Sequence, residues 1–253
     1  MTRKVLIDGD ILAYRAAFST QGGTEREARA KVDDLMQYVC DKTIPTPFAS
    51  SEDFHVYLTG RNNFRHEVAK TAVYKGNRKR GEKPAHLEAV REHIIKTYPT
   101  TVAEGEEADD AIAIEATKIG KDAVIASIDK DFLQVACTHY NFTKDSWTVV
   151  EEFEGLRFFY SQILSGDAVD NIIGLFRVGP KTSADMLKTC RTEQQMFQVC
   201  LDAYMVSKEA LMVHPDDIYS WASDRVIENA RLLWLRRYEG QMWEPPLVTY
   251  DDM

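Results

Sequence analysis

The sequence predicts an α/β fold with a mainly parallel sheet flanked by helices, followed by a helical C-terminal part. Three observations carry that reading. Short apolar runs alternate with stretches of helical spacing up to about residue 150, the pattern of successive strand–helix units. Two of the runs, 4–7 and 123–128, are apolar almost without a break, as in strands covered on both faces. Beyond about residue 155 helical spacing takes over. The expected domains are therefore 1–155 and 156–253.

Taken in order, residues 4–7 form a buried strand and 11–18 a helix by apolar spacing. Gln21-Gly22-Gly23-Thr24 breaks the chain, and a charged helix follows over 24–42 with Val32, Leu35, Met36 and Val39 on one face. Thr43-Ile44-Pro45-Thr46-Pro47 is a loop, and His55–Thr59 is a second strand ending at Gly60. Pro84 opens a helix over 84–97 with Leu87, Val90, Ile94 and Ile95 inward, and Pro99 stops it. Residues 108–119 form a helix with Ile112, Ala113, Ala116 and Ile119 inward, and 123–128 is the next strand. A short β-stretch at 147–150 precedes helices over 158–165, 181–190, 193–206 and 216–236. The stretch from Gly166 to Pro180 is a glycine-punctuated loop, and the tail after Pro245 is expected to fray. No internal repeat is visible.

Composition narrows the function classes. Hydrophobic content of 44% and charged content of 28% are those of an ordinary globular chain. No apolar run approaches the roughly 20 residues a membrane helix needs. Met1-Thr2-Arg3-Lys4 leads straight into a strand rather than a signal-peptide core. The expectation is a cytoplasmic, monomeric protein without membrane contact. Cys40, Cys137, Cys190 and Cys200 show no CxxC spacing and read as free thiols. A net charge of −9 argues on average against a nucleic-acid partner. Its distribution argues the other way, because Arg61, Arg65, Lys70, Lys75, Arg78, Lys79, Arg80 and Lys83 crowd one stretch. With no GxxxxGK[ST] loop, a kinase or ATPase has little support.

Acidic residues recur in four places, each beside an apolar run: Asp8-Gly9-Asp10, Glu106-Glu107-Ala108-Asp109-Asp110, Asp129-Lys130-Asp131, and Gly166-Asp167-Ala168-Val169-Asp170-Asn171. Each has an ordinary reading as a turn, a helix cap or a solvated loop. Together they suggest one carboxylate-lined site for hard divalent cations such as Mg²⁺. Parallel sheets gather ligands beyond their strands' carboxyl ends, and Asp8, Gly60 and Asp129 each sit just past one. In Tyr74-Lys75-Gly76-Asn77-Arg78-Lys79-Arg80, Lys75 and Arg78 suit phosphate oxygens and Tyr74 a stacked base. The loop Gly166 to Thr182 ends in Gly179-Pro180-Lys181-Thr182, with Pro180 suited to the first position of a helix. Its N–H groups make a natural phosphate seat.

In these motifs the chain resembles the 5′→3′ exonuclease and flap endonuclease superfamily, most of all the replication exonucleases of short-tailed bacteriophages. Ile7-Asp8-Gly9-Asp10, Tyr74-Lys75-Gly76-Asn77-Arg78, Glu107-Ala108-Asp109-Asp110, Asp129-Lys130-Asp131 and the Gly166–Thr182 loop occur in the family's order over residues 4–190. The resemblance implies a PIN-like, Rossmann-like nuclease domain and a helix–three-turn–helix motif that grips duplex backbone, often with K⁺. It implies a first metal surrounded by Asp8, Glu107, Asp109 and Asp110. A second would be surrounded by Asp129, Asp131, Asp167 and Asp170, partly through water. Both ions would be Mg²⁺, with Mn²⁺ as a substitute. Lys75 would contact the scissile phosphate and Arg78 orient it. Tyr74, Arg80, Lys83, Gly174, Val178, Gly179, Lys181 and Thr182 would contact DNA, and 76–97 would be a short arch. Relatives usually carry a further aspartate where this chain has Gly60, and Asp10 is its nearest substitute in sequence.

The expected reaction is metal-dependent hydrolysis of phosphodiesters near 5′ ends of duplex DNA in phage replication. Flaps and RNA–DNA hybrids at primers are further substrates within its scope. Two ions about 3.5–4 Å apart suit such a displacement, and binding through phosphates should be sequence-independent and weaken with salt. Two other readings use the same residues: a PIN-type ribonuclease, and a non-catalytic DNA-binding accessory with a decayed metal site. The C-terminal loop argues against the first. Retention of the other acids, with Lys75 and Arg78, argues against the second.

Overall fold

The computed structural model describes residues 3–44, 52–78 and 83–247 of the 253-residue chain. Two compact units divide it. The first comprises 1–63, 80–151 and 235–239, and the second 64–79, 152–234 and 240–253. Residues 64–79, which precede the boundary at 155, therefore group with the helical part. Arg80, part of the expected arch, Pro45 to Pro47 and the end of the tail lie outside the described residues.

The first unit is built on a six-stranded sheet. Its elements begin with β1 (Lys4–Asp8), α1 (Gly9–Ser19), α2 (Glu25–Thr43) and β2 (Phe54–Thr59). The second unit contributes the short helix α3 (Arg65–Val68), and the first resumes with α4 (Leu87–Thr97), β3 (Thr100–Ala103), α5 (Ala108–Ile119) and β4 (Ala123–Ala126). It ends with β5 (Thr138–Asn141) and β6 (Ser146–Val149). The strand order is β3-β2-β1-β4-β5-β6; every pair is parallel except β5–β6. Alternate residues of the apolar strands feed opposite cores. Val5, Ile7, Val56, Leu58, Val124 and Ala126 pack with α1, α2 and α4, whereas Leu6, Tyr57 and Ile125 pack with α5 through Ala108, Ile112 and Ala116. This two-sided burial is why β1 and β4 read as unbroken apolar runs.

Local signals set the helix ends. Asp8 caps α1 by accepting a hydrogen bond from Ile11 N, and Thr24 and Glu27 form a reciprocal capping box on α2. Glu107 and Asp110 form another on α5, and Gly120, at φ 72°, follows its last residue. Two strands escape the sequence pattern. In β3 only Ala103 is buried, and β5 has two buried residues. The helix expected from residue 84 begins at Leu87, after a turn in which Leu87 N donates to Pro84 O.

The second unit holds α6 (Glu152–Ser165), α7 (Pro180–Leu187), α8 (Glu193–Met205) and α9 (Ile218–Leu233), with a short ribbon of β7 (Gly166–Asp167) and β8 (Ile172–Ile173) between α6 and α7. Its core gathers Phe159, Tyr160, Ile163, Leu187, Phe197, Val226 and Trp243. α6 starts six residues before the expected 158, because Glu152 and Glu154 suit a helical first turn. Fully buried Arg65 donates to Leu232 O and Trp234 O, closing the end of α9.

Candidate active site

Sheet order reverses between β1 and β4, the place where open α/β sheets bind ligands. Asp8 ends β1 there. Only 2% exposed, it accepts Ser127 Oγ–H at 2.7 Å from the residue just past β4 and Ile11 N–H at 3.1 Å from its own helix. Burial pushes the Asp8 carboxyl up to about 7; the bonds from Ser127 and Ile11 oppose this, and the charges of Asp10 and Asp129 add to it. A buried carboxylate with acidic neighbours is one whose charge a bound cation would stabilise.

The other candidate acids of this unit take different roles. Asp129 N donates to Ser127 Oγ at 3.0 Å, and Asp129 Oδ1 accepts Asp131 N–H at 2.9 Å, folding the turn that carries both acids. Lys130 Nζ lies 2.9 Å from Asp131. At α5, Glu107 N donates to Asp110 Oδ2 at 3.2 Å, Asp110 is fully buried, and half-buried Asp109 lies in the first turn. Among the described residues, no three acidic, histidine or cysteine side chains converge on one cation-sized point. The donor chemistry fits a hard cation all the same, since the side chains here offer carboxylate oxygens and burial and the charges of Asp10 and Asp129 disfavour the ionised form of Asp8, which a cation would offset.

Gly60, where the resemblance expects an aspartate, lies in a closed space. A Cβ there would lie 2.4 Å from Ala103 O and 2.5 Å from Glu104 Oε1, and Glu104 Oε2 accepts Arg61 N–H at 3.1 Å. Backbone and a neighbouring carboxylate already fill the space an aspartate at 60 would enter. Nor is Asp10 an uncommitted substitute. Its carboxylate pairs with Arg91 and accepts Thr59 N–H at 2.9 Å, while Arg91 Nη2 donates to Thr59 O at 2.6 Å. Ser127 and Arg91 are site residues that sequence reasoning missed. A serine after a strand and an arginine on a helix carry no local signal of such partners.

Within the second unit, the basic turn is stitched to the ribbon. Lys75 N donates to Asp170 O at 2.8 Å and Asn77 Nδ2 to Ala168 O at 2.6 Å, while Asn171 Nδ2 donates to Val73 O at 2.9 Å. Arg78 Nη2 donates to Asp170 Oδ1 at 2.6 Å, and Lys75 Nζ lies 3.7 Å from Oδ2. Tyr74 also donates its hydroxyl to that carboxylate, at 2.8 Å. Its ring is 3% exposed in the apolar core, so the expected base-stacking platform is a core residue. Lys75 holds φ 55°, a left-handed conformation that this set of bonds sustains. Asp167, also buried, accepts Val169 N–H at 2.7 Å and shapes the ribbon turn.

The glycine loop follows. Gly166 has φ 68°, and a Cβ there would meet Gly174 N at 2.3 Å; Gly174 in turn faces Ser165 C at 2.2 Å. Backbone packs directly on backbone, which only glycine permits. Gly179 caps α7, Pro180 takes its first turn, and Lys181 and Thr182 are exposed there. Val178 instead packs against the apolar core. Lys83 is exposed beside Glu88, 3.4 Å away. Arg65, one of the clustered cations of the sequence, is buried and donates to backbone carbonyls.

The profile of the family described as 5′-3′ exonuclease, N-terminal resolvase-like domain matches residues 3–159. The chain belongs to the 5′–3′ exonuclease family. Curated relatives of this exonuclease-family chain include flap endonuclease Xni of Shewanella sp. (strain ANA-3), 34% identical over 138 residues, covering 49% of this chain and 53% of the relative. The chain thus spans about half the length of the curated relatives it matches. Among solved structures, T5 D15 protein co-crystallized with metal ions superposes with a TM-score of 0.66 at 19% identity, covering 90% of this chain and 88% of the other. T5 5′-exonuclease with divalent metal ions (zinc) bound gives 0.65 at 19% identity, covering 91% and 88%. These matches establish the fold, a mainly parallel sheet with a C-terminal helical part. Among the described residues, no helix is long and apolar enough to cross a membrane.

Proposed function

We propose that this chain is a divalent-metal-dependent 5′ nuclease that hydrolyses phosphodiesters near 5′ ends of duplex DNA, releasing 5′-phosphorylated products. The observation that carries it is Asp8, a buried carboxylate at the sheet's switch point beside Asp10 and Asp129, in a chain of this family. The solved neighbours with bound metal ions and with DNA support the metal and substrate class. Asp8, Glu107, Asp109 and Asp110 are the proposed holders of one Mg²⁺, and Asp129 and Asp131 of a second. When bound, the ions supply a nucleophilic hydroxide and charge stabilisation at the leaving oxygen. The proposed assignment of Asp167 and Asp170 to metal rests on resemblance alone; within their own unit they order the 73–78 turn.

Lys75 and Arg78 stabilise charge on the phosphate, and Asp170 holds both in reach of one another. Lys83, Lys181 and Thr182, exposed, and the backbone at Gly174 and Gly179 suit duplex phosphates. Replication in a phage-infected cell is the proposed setting, with flaps and RNA–DNA primers as further substrates. The T5 neighbours favour that setting, while the curated relatives are bacterial. A non-catalytic accessory is the second reading, favoured by the closed space at Gly60.

Incubation of 5′-end-labelled linear duplex with Mg²⁺ or EDTA, beside Asp131→Ala, separates the two. The nuclease releases short labelled products with Mg²⁺ alone, and the variant does not. A protein that binds the duplex yet releases nothing with Mg²⁺ or Mn²⁺ is the accessory.

A further inference from the structure

Residues 235–239 belong to the first unit although the chain on both sides belongs to the second. Three consecutive residues of this short segment bond to two acid-bearing parts of the first unit. Leu235 is buried in the core that Ala108 and Ile112 also line, and its N–H donates to Gln134 Oε1 at 3.0 Å. Arg236 N donates to Asp110 Oδ1 at 3.2 Å, across 126 positions of sequence, and its guanidinium meets Glu106 Oε2 at 2.8 Å. Arg237 Nη2 donates to Gln134 O at 2.7 Å. Gln134 closes the 3-10 turn Lys130–Gln134 that carries Asp131, and Glu106 and Asp110 flank the start of α5. One side of the segment therefore holds the α5 acids, and the other holds the Asp131 turn.

We propose that Leu235–Arg237 is a clamp that sets the relative placement of these two acid-bearing segments, with Arg236 a positioning residue for divalent-metal binding. The proposal rests on the metal-nuclease reading above. Asp110 is fully buried, so each of its oxygens needs a donor, and a missing one costs its desolvation. Glu107 N–H serves Oδ2 and the clamp's backbone serves Oδ1. That backbone donor can be aimed only if the segment itself is anchored. Its anchors are the apolar contact of Leu235, the bonds to Gln134, and the Arg236–Glu106 pair, whose side chains are 12% and 16% exposed. A side chain with a permanent positive charge suits the last role.

The test is Mn²⁺ titration by calorimetry without DNA, on wild type, Arg236→Gln, Arg236→Lys, Glu106→Gln and the double Gln variant, with melting in EDTA as a control for folding. Loss of outer-layer orientation typically weakens metal affinity on the order of 10–100-fold. The expected result is a loss of that size in both single Gln variants, no further loss in the double, and recovery of most of it by Arg236→Lys. A merely structural pair would lower the EDTA melting temperature and leave Mn²⁺ affinity unchanged, which overturns the proposal. Tighter Mn²⁺ binding in Arg236→Gln also overturns it, since the arginine would then act only as an opposing charge. No Mn²⁺ binding by the wild type itself overturns the metal-nuclease reading, and the clamp's role with it.

Discussion

Asp8→Asn should stabilise the metal-free protein at neutral pH. Asp8 is 2% exposed, and burial pushes its carboxyl up to about 7 from an ordinary 3.8. Below 3.8 both folded and unfolded chains hold the proton, and Asp8 makes no pH-dependent contribution. Between 3.8 and about 7 the unfolded chain releases the proton while the folded chain keeps it, so stability falls as pH rises. The difference of about 3 units, at 1.36 kcal/mol each, gives a ceiling of roughly 4 kcal/mol above pH 7. Asparagine keeps the oxygen that accepts Ile11 N–H and carries no charge. Urea unfolding in EDTA should therefore show a stability difference near zero at pH 4, growing to its maximum by pH 8. Mg²⁺ should narrow the difference by stabilising the wild type selectively. A variant equal to or less stable than wild type at pH 8 in EDTA would refute the claim that Asp8 is held against its own charge.

Three other outcomes follow from the same contacts. Gly60→Asp should destabilise the fold by about 1–3 kcal/mol, because its Cβ would lie 2.4 Å from Ala103 O; unchanged urea stability would contradict this. Glu228→Ala should cost about 3–5 kcal/mol, since Glu228 accepts Lys70 N–H at 2.7 Å and Thr71 N–H at 2.6 Å and pairs with Arg225 at 2.8 Å; hydrogen exchange should show residues 70–78 losing protection. Asp170→Asn should loosen Lys75 and Arg78 and lower nuclease turnover at least tenfold with little change in melting temperature; full turnover would show that the two cations need no common anchor.

The fold and part of the site were legible in the sequence for identifiable reasons. Apolar runs covered on both faces revealed β1 and β4, and helical spacing located α2, α4 and α5. The edge strand β3 buries only Ala103 and so lacked the signal. Asp8 and Asp129 could be placed because a strand's end follows from where its apolar run stops. The same local logic misjudged Tyr74, whose basic neighbours suggested a surface platform and whose ring lies in the core. It also counted Arg65 among the available cations, although its buried guanidinium donates to the carbonyls of Leu232 and Trp234 at the end of α9.

The sequence by itself determined the parallel α/β architecture, the acids past the strand ends and the family, because each is written in short-range periodicity or in a contiguous motif. Only the tertiary structure decided what those acids face. Ser127 reaches Asp8, Arg91 commits Asp10, Glu104 and Ala103 close the space at Gly60, and Arg236 reaches Asp110 from 126 positions away. The physical reason is that a carboxylate's charge state and freedom depend on donors, burial and neighbouring charge within a few ångströms. Those neighbours arrive from distant segments, whose approach is decided by packing and leaves no trace in local sequence.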